Sequence, residues 1–521
     1  MGAKRVTWVA VLVGAVGAIG IIGCRKGPAA SKGDVSASAK ASSTGGGNAN
    51  NAKMWVPPLA GLAVDAAGTP WATGRIYSPF DFGSGMVSSS GGADLYLAKL
   101  DPTTCQATET FVFGGAGDND QTANGVAVSS RGNVALIGSF TGEIAFTANR
   151  ADGSGPSGKP GSAGLDFLQS GPPVPFYGVF NGHSKGGHIV PVKAHMVDVG
   201  SGALLSVGSN PGQNSFAICG KTDKAVANWS ESAVTKGVIT GGKAVAGGGM
   251  DIVVAKIDAA TGSVIWGRQF GGVGEQVCDS VTVDNNGDVI IAGGYSGTLS
   301  FDKVALPKVA DLTLAIIYVA KLEGSTGTAI SAQTWRSAGR SNAYGLTVDS
   351  DSNIVLAGLL GADMDLGGGL RIANYGWTDA FVIKLTPALA PVWAKSFGDD
   401  DLDQGVKSVG VSSKGNVIIG GTFQGSLGTL GLVSAGKTAA SDGFTAELAA
   451  ADGAILSARA YGDAAGAQSV SVVTVARAAS GALTNSIFVG GTFFSSITFG
   501  STTLSNGSPR SFASYVARLA P

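Results

Sequence analysis

Apolar and polar positions alternate along most of the chain in short runs separated by tight turns. Gly125-Val126-Ala127-Val128-Ser129-Ser130-Arg131-Gly132-Asn133-Val134-Ala135-Leu136-Ile137-Gly138 predicts a strand, a turn at Gly132 and a second strand ending in Gly. The same pattern returns over Ser280–Gly293 and Ser408–Gly421. Its turn residue falls at Gly68, Gly132, Gly202, Gly287, Ser352, Gly415 and Gly481, which makes seven copies. A third strand follows each pair. It is clearest in Asp94–Leu100, Asp251–Ile257, Ile316–Leu322, Asp379–Leu385, Asp442–Leu448 and Ala513–Leu519, and weaker in Phe176–Phe180. A last strand often carries an aromatic and ends in Gly, as in Trp266–Gly272 and Trp393–Gly398.

Each copy therefore holds four short strands in about 65 residues. Asn-Gly, Gly-Asn and Gly-Asp pairs supply the positive φ of tight hairpins. Four-stranded antiparallel units repeated radially predict an all-β fold, a seven-bladed β-propeller. Folding is expected to begin at Met54-Trp55-Val56-Pro57, which reads as a lone last strand, while the chain stops after a third strand at Tyr515–Leu519. The N-terminal strand is thus expected to complete the seventh blade and remove two exposed edges.

These repeats resemble the SBBP β-propeller repeats of exported bacterial proteins. The carrying residues are the Val-Ala-Val-x-x-x-Gly-Asn-Val stretch and the Gly-x-Phe after it (Gly138-Ser139-Phe140, Gly421-Thr422-Phe423, Gly491-Thr492-Phe493). Asp379–Leu385 and Trp393–Gly398 supply the other two motifs. The resemblance covers roughly residues 54–521. It implies a fold and no activity, because that family is defined by repeats. Copies two and three depart from it, with insertions expected at about 145–175 and 210–249, the segments that would carry individuality.

The N-terminus adds an address. Lys4 and Arg5 precede an uncharged apolar run, Val6–Gly23, in the layout of a secretory signal. Ile21-Ile22-Gly23-Cys24 resembles the lipobox of bacterial lipoproteins. This implies a signal peptide over 1–23 and a lipidated Cys24 that holds the mature protein to a membrane. An uncleaved span is the other reading, since eighteen residues just cross a bilayer. Residues 24–53, rich in Ala, Ser, Gly and Asn, read as a flexible tether. Arg25 follows the cysteine with no Asp retention signal, which by the lipoprotein sorting rule implies the outer membrane of a bacterium.

Composition narrows the function classes. The 521 residues carry 35 Lys+Arg against 36 Asp+Glu, a net charge of −1, which excludes a general nucleic-acid binder. Apolar content of 44% excludes disorder, and the 83 glycines have no three-residue period, which excludes collagen.

Candidate chemistry is sparse. The three histidines, His183, His188 and His195, cluster in copy two without a zinc spacing and read as ordinary strand or surface residues. Acidic turns at Asp118, Asp120, Asp399, Asp401 and Asp403 could hold calcium through oxygen ligands, or serve local hydrogen bonding between blades. No other cofactor is implied. An exported chain meets an oxidising compartment, and among Cys105, Cys219 and Cys278 the favoured disulfide joins Cys219 to Cys278, in adjacent copies with Cys219 inside an insertion. Trp55, Trp266, Trp335, Trp393, Phe140, Phe423 and Phe493 follow the repeat and read as packing between blades. Trp71, Trp229 and Trp377 do not, and Trp229, in the copy-three insertion, is the candidate contact. No Gly-x-Ser-x-Gly elbow, His-Glu-x-x-His helix or phosphate loop is found.

The expected role is a binding or interaction scaffold at the cell envelope, with a protein or glycan partner. The rivals are a polysaccharide hydrolase or lyase in the propeller channel, which requires inward carboxylates from several blades, and an envelope assembly factor.

Overall fold

Val-, Ile- and Ala-rich segments broken by Gly and Asp turns pair as antiparallel hairpins, because the turn residues reach conformations that keep the strand twist. The turn residue has positive φ at Gly132 (78°), Gly287 (85°) and Gly415 (79°), and Ser352 adopts it without being glycine (61°). The computed structural model describes residues 49–55, 58–115, 119–150, 166–182, 189–210, 212–225, 249–399, 402–435, 440–464, 466–476, 486–506 and 512–519. By contacts the chain divides after Ser38. Residues 1–38 lie outside the described residues, and every element below belongs to residues 39–521.

Seven four-stranded antiparallel units follow one another, each built from four strands taken here from first (innermost) to fourth. Unit one is Leu59–Val64, Pro70–Ile76, Asp94–Leu100 and Ala107–Gly114. Unit two is Gln121–Val128, Asn133–Arg150, Asp166–Asn181 and Val190–Met196. Unit three is Ala203–Ser209, Ser215–Thr222, Asp251–Asp258 and Val264–Phe270. Unit four is Gln276–Val283, Val289–Tyr295, Ile316–Leu322 and Ala329–Thr334. Unit five is Ser341–Val348, Ile354–Leu360, Asp379–Leu385 and Pro391–Phe397. Unit six is Gln404–Val411, Val417–Phe423, Asp442–Leu448 and Ile455–Tyr461. Unit seven is Val472–Val475, Ile487–Phe494 and Phe512–Leu519, and its fourth strand is the N-terminal Ala49–Trp55.

The core lies between units rather than within them. Seven apolar clusters each join residues of two consecutive units, and one packs Phe488 and Val516 of unit seven on Leu62 and Tyr96 of unit one. The ring is therefore closed, and the fold is an all-β propeller. Third strands are covered on both faces by neighbouring units. Ile316–Leu322 and Asp379–Leu385 are buried along their whole length, which requires the near-continuous apolar runs found there.

Three boundaries differ from expectation. The closing strand starts at Ala49, inside the segment expected as tether. The long segment of unit two extends its ladder: Ala145 pairs with Asp166, and Phe111 of unit one pairs with Arg150, fusing units one and two into one eight-stranded sheet. In unit three the turn lies at Asn210–Asn214, not at Gly202, and Ser215–Thr222 is a core strand rather than insertion. The Asn210 side chain accepts from Gly212 N–H and its carbonyl from Gln213 N–H, so this turn closes without a Gly-Asn signal. The insertion of unit three accordingly begins after Thr222.

Alternation of strand direction sorts the connections into two ends of the ring. Second-to-third connections and the links between units share one end, here the loop face. First-to-second and third-to-fourth turns share the other, where Ala49 enters the closing strand beside Leu519.

Candidate functional site

The first strands of all seven units line a central cavity of about 410 Å³. Each of the first six first strands breaks register at one point, between Leu59/Gly61, Ala123/Gly125, Leu204/Ser206, Cys278/Ser280, Ala343/Gly345 and Val406/Ser408. A bulge leaves one residue unpaired and re-aims its side chain. The residues at these breaks are Ala60, Asn124, Leu205, Asp279, Tyr344 and Lys407, and all line the cavity. Ser471 lines it in unit seven, three residues after Gln468 as Asp279 is three after Gln276. The outcome is a ring of seven dissimilar side chains inside a structure whose strands are otherwise alike.

Its polar members concentrate on units four to six. Lys407 holds its ammonium 4.8 Å from the centre of the Tyr344 ring. Asn342 stands beside the Asp279 carboxylate, close enough to act on it, and accepts from Arg340 Nε at 3.2 Å. Solvent reaches part of Asp279 from the channel, yet protein surrounds it on nearly every side. This burial pushes its carboxyl up to about 6, against the opposing pull of Asn342, Lys221 and Arg340. Burial lowers the Lys407 ammonium, with Asp403 opposing, and raises the Tyr344 phenol, with Asp279 adding to the rise. The Asp279 Oδ2 atom has no hydrogen-bond partner.

The residues singled out in the sequence fall elsewhere. Asp120 accepts from Ala93 N–H at 3.0 Å. Asp399 accepts from Ser426 N–H at 2.7 Å and Gln404 Nε2 at 2.8 Å, and Asp403 from Thr378 Oγ1 at 2.7 Å. These carboxylates tie inter-unit links to the loops beside them. Among the described residues no group of three or more His, Cys, Asp or Glu is placed to hold a metal ion. Cys24, Asp118, Asp401, His183, His188 and Trp229 lie outside the described residues.

Cys219 and Cys278 form a disulfide between the second strand of unit three and the first strand of unit four. Cys219 thus belongs to a core strand, not to an insertion as expected, and Cys105 is a buried thiol outside the disulfide that burial pushes up to about 12. His195 is buried against Tyr177, and burial, then the Lys193 charge, lowers it to about 4 and keeps it neutral. Trp266 and Trp393 donate from Nε1 to Gly324 O and Ala450 O in the next unit, at 3.0 and 3.1 Å. Trp71 is buried, whereas Trp377 is 74% exposed.

Sequence reasoning missed the channel ring. Its signal is the one position in the Val-x-Val strands whose chemistry changes from copy to copy: Ala, Asn, Leu, Asp, Tyr, Lys, Ser. It also missed a framework residue. Gln121, Gln276 and Gln404 open first strands and Gln468 precedes one by four residues; all four are buried and donate from Nε2 to backbone carbonyls beyond the end of the first hairpin, Glu143 O at 2.7 Å among them.

No protein-family model matches the chain, and no curated protein matches it. Solved structures similar to it include Raptor from Chaetomium thermophilum, at 6% identity over 91% of this chain and 28% of that one, with a TM-score of 0.43. This chain thus spans little more than a quarter of the length of Raptor. The quinohemoprotein alcohol dehydrogenase of Comamonas testosteroni is 10% identical over 91% of this chain and 77% of that one (TM-score 0.37). BamB from Moraxella catarrhalis is 12% identical over 90% and 89% (TM-score 0.33).

Proposed function

We propose that the protein is an exported propeller, held to a bacterial envelope membrane by lipid on Cys24, that acts as an interaction scaffold through its loop face. The observation that carries this reading is the distribution of exposed apolar side chains. Tyr77, Met86, Leu312, Tyr375, Trp377 and Val433 all stand on second-to-third connections, and Val273 on a link between units, so one end of the ring collects them. Ile265, Ile330, Val392 and Ile455, also exposed, instead recur at the start of fourth strands and follow the repeat. Exposed apolar residues gathered on loops of a rigid scaffold mark contact surfaces. The closing strand is entered at Ala49, beside Leu519, at the opposite end of the ring.

Channel chemistry favours binding over hydrolysis. Glycoside hydrolysis uses two carboxylates across the bond, and Asp279 is the single carboxylate among the described lining residues. The test combines two substitutions in intact cells. Cys24→Ser should release the protein from the membrane fraction. Trp377→Ser should abolish cross-linking to its envelope partner while the melting temperature stays unchanged. Retention of the Cys24→Ser protein in membranes would remove the anchor, and unchanged cross-linking would remove the loop face.

A further inference from the structure

We propose that the channel ring is a binding site for a small hydroxylated anion, a sugar carrying a carboxylate or a phosphate, with the anionic group at Lys407 and a hydroxyl donated to Asp279. This goes beyond the scaffold reading and depends on neither Cys24 nor Trp377.

Charge argues for the anion. Lys407 lines the channel, rests on Tyr344, and makes no ion pair among the described residues. The guanidinium of Arg340 and the ammonium of Lys221 lie close enough to act on Asp279. Lys407 and Asp279 are the charged side chains among the described lining residues, and Asp403 is the carboxylate that acts on Lys407. A half-buried ammonium without an ion pair, set against low-dielectric walls, attracts an anion.

Asp279 argues for the hydroxyl. A bare anion beside this carboxylate would be repelled by it. Its Oδ2 has no partner, and a buried acceptor left unmade is costly. A ligand that brings a donor next to its charge satisfies both groups at once. Tyr344 and Asn124 offer further hydrogen-bonding groups on the ring, while Ala60 and Leu205 leave an apolar wall. A volume of about 410 Å³ is in the range of small-ligand sites and holds a monosaccharide.

Packing does not account for these side chains. Elsewhere the first strands close around Val, Gly and Ser, and a ring of such residues would hold the fold without burying Asp279 or leaving Lys407 half-buried without an ion pair.

Titration calorimetry of the full chain in detergent tests the site. The probes are galacturonate, glucose 6-phosphate, inorganic phosphate and neutral galactose. Either or both sugar anions should bind, galacturonate alone assigning a carboxylated sugar and glucose 6-phosphate alone a phosphorylated one. Galactose should not bind, and inorganic phosphate should bind at least tenfold more weakly. Lys407→Gln should weaken the sugar anions tenfold or more, and Asp279→Asn should narrow their advantage over inorganic phosphate. If Lys407→Gln fails to fold, Ser471→Asp decides. That residue is exposed on the same ring, and a carboxylate there should repel the ligand to the same degree. Absence of binding by both sugar anions at millimolar concentration overturns the proposal. So does binding that Lys407→Gln and Ser471→Asp leave unchanged.

Discussion

The aspartates that open third strands explain the glycines that end fourth strands. Asp94, Asp251, Asp379 and Asp442 are buried. A Cβ added to Gly114, Gly271, Gly398 or Gly462 would lie 2.1, 1.8, 2.0 or 2.2 Å from one of their carboxylate oxygens. The Phe-Gly ending of the repeat is thus a close-approach requirement, not a turn. At Asp442 burial, reinforced by the Asp463 charge, raises the carboxyl to about 6, although Ala435 N–H donates to it at 2.7 Å. The folded state therefore holds this proton more tightly than the unfolded chain does, and stability is lost as pH rises from about 4 through 6. Asp442→Asn should leave the melting temperature unchanged at pH 4. At pH 7.5 it should raise stability by on the order of 1 kcal/mol, read by calorimetry at both values. A lower melting temperature at pH 7.5 would mean that the bonds accepted by the ionised carboxylate outweigh its burial.

Pairs of elements are held by motif residues that the repeat makes conspicuous. The lysine of the third strand reaches back to the first hairpin turn: Lys321 pairs with Asp284 at 2.7 Å and Lys384 with Asp349 at 2.9 Å, both buried. Lys256, where no such pair forms, donates to Gly287 O and Gly324 O instead. The Cys219–Cys278 disulfide adds a covalent link between units three and four and closes a loop of 59 residues. Replacing both cysteines by serine should cost about 2–4 kcal/mol of unfolding free energy in denaturant titration. Unchanged stability would mean that the interface between units three and four needs no cross-link. Unit three is also where sequence periodicity misled. Its turn closes through the Asn210 side chain, and the Gly that matches the repeat, Gly202, stands just ahead of the first strand.

At the scale of the molecule, each unit buries its faces only against its neighbours, so stability depends on closing the ring. Ala49–Trp55 supplies that closure, a seven-residue strand paired with Ser514–Leu519. Deleting residues 49–55 should expose the edge of Phe512–Leu519 and lower the melting temperature by roughly 10 °C or more, with oligomers appearing in size-exclusion chromatography. An unchanged monomer would show that the ring holds without its closing strand. The start of this strand was not legible in the chain. Ala49-Asn50-Asn51-Ala52-Lys53 has almost no apolar alternation, because an outermost strand pairs on one side only and needs little of it.

Period-two alternation, Gly and Asp turns and a motif repeated seven times determined the strand content, the propeller and the closing of the ring. Each of these is encoded over a few neighbouring residues, and repetition multiplies the signal. The turn aspartates, the third-strand lysines and the Phe-Gly endings were equally visible, though their purpose was not, since each acts on a residue in another strand. The tertiary structure alone decided the channel ring. Its seven members come from seven units and are separated by more than sixty residues apiece along the chain. Only the closing of the ring, and a bulge in each of six inner strands that turns one side chain into the lumen, brings Asp279, Tyr344 and Lys407 together.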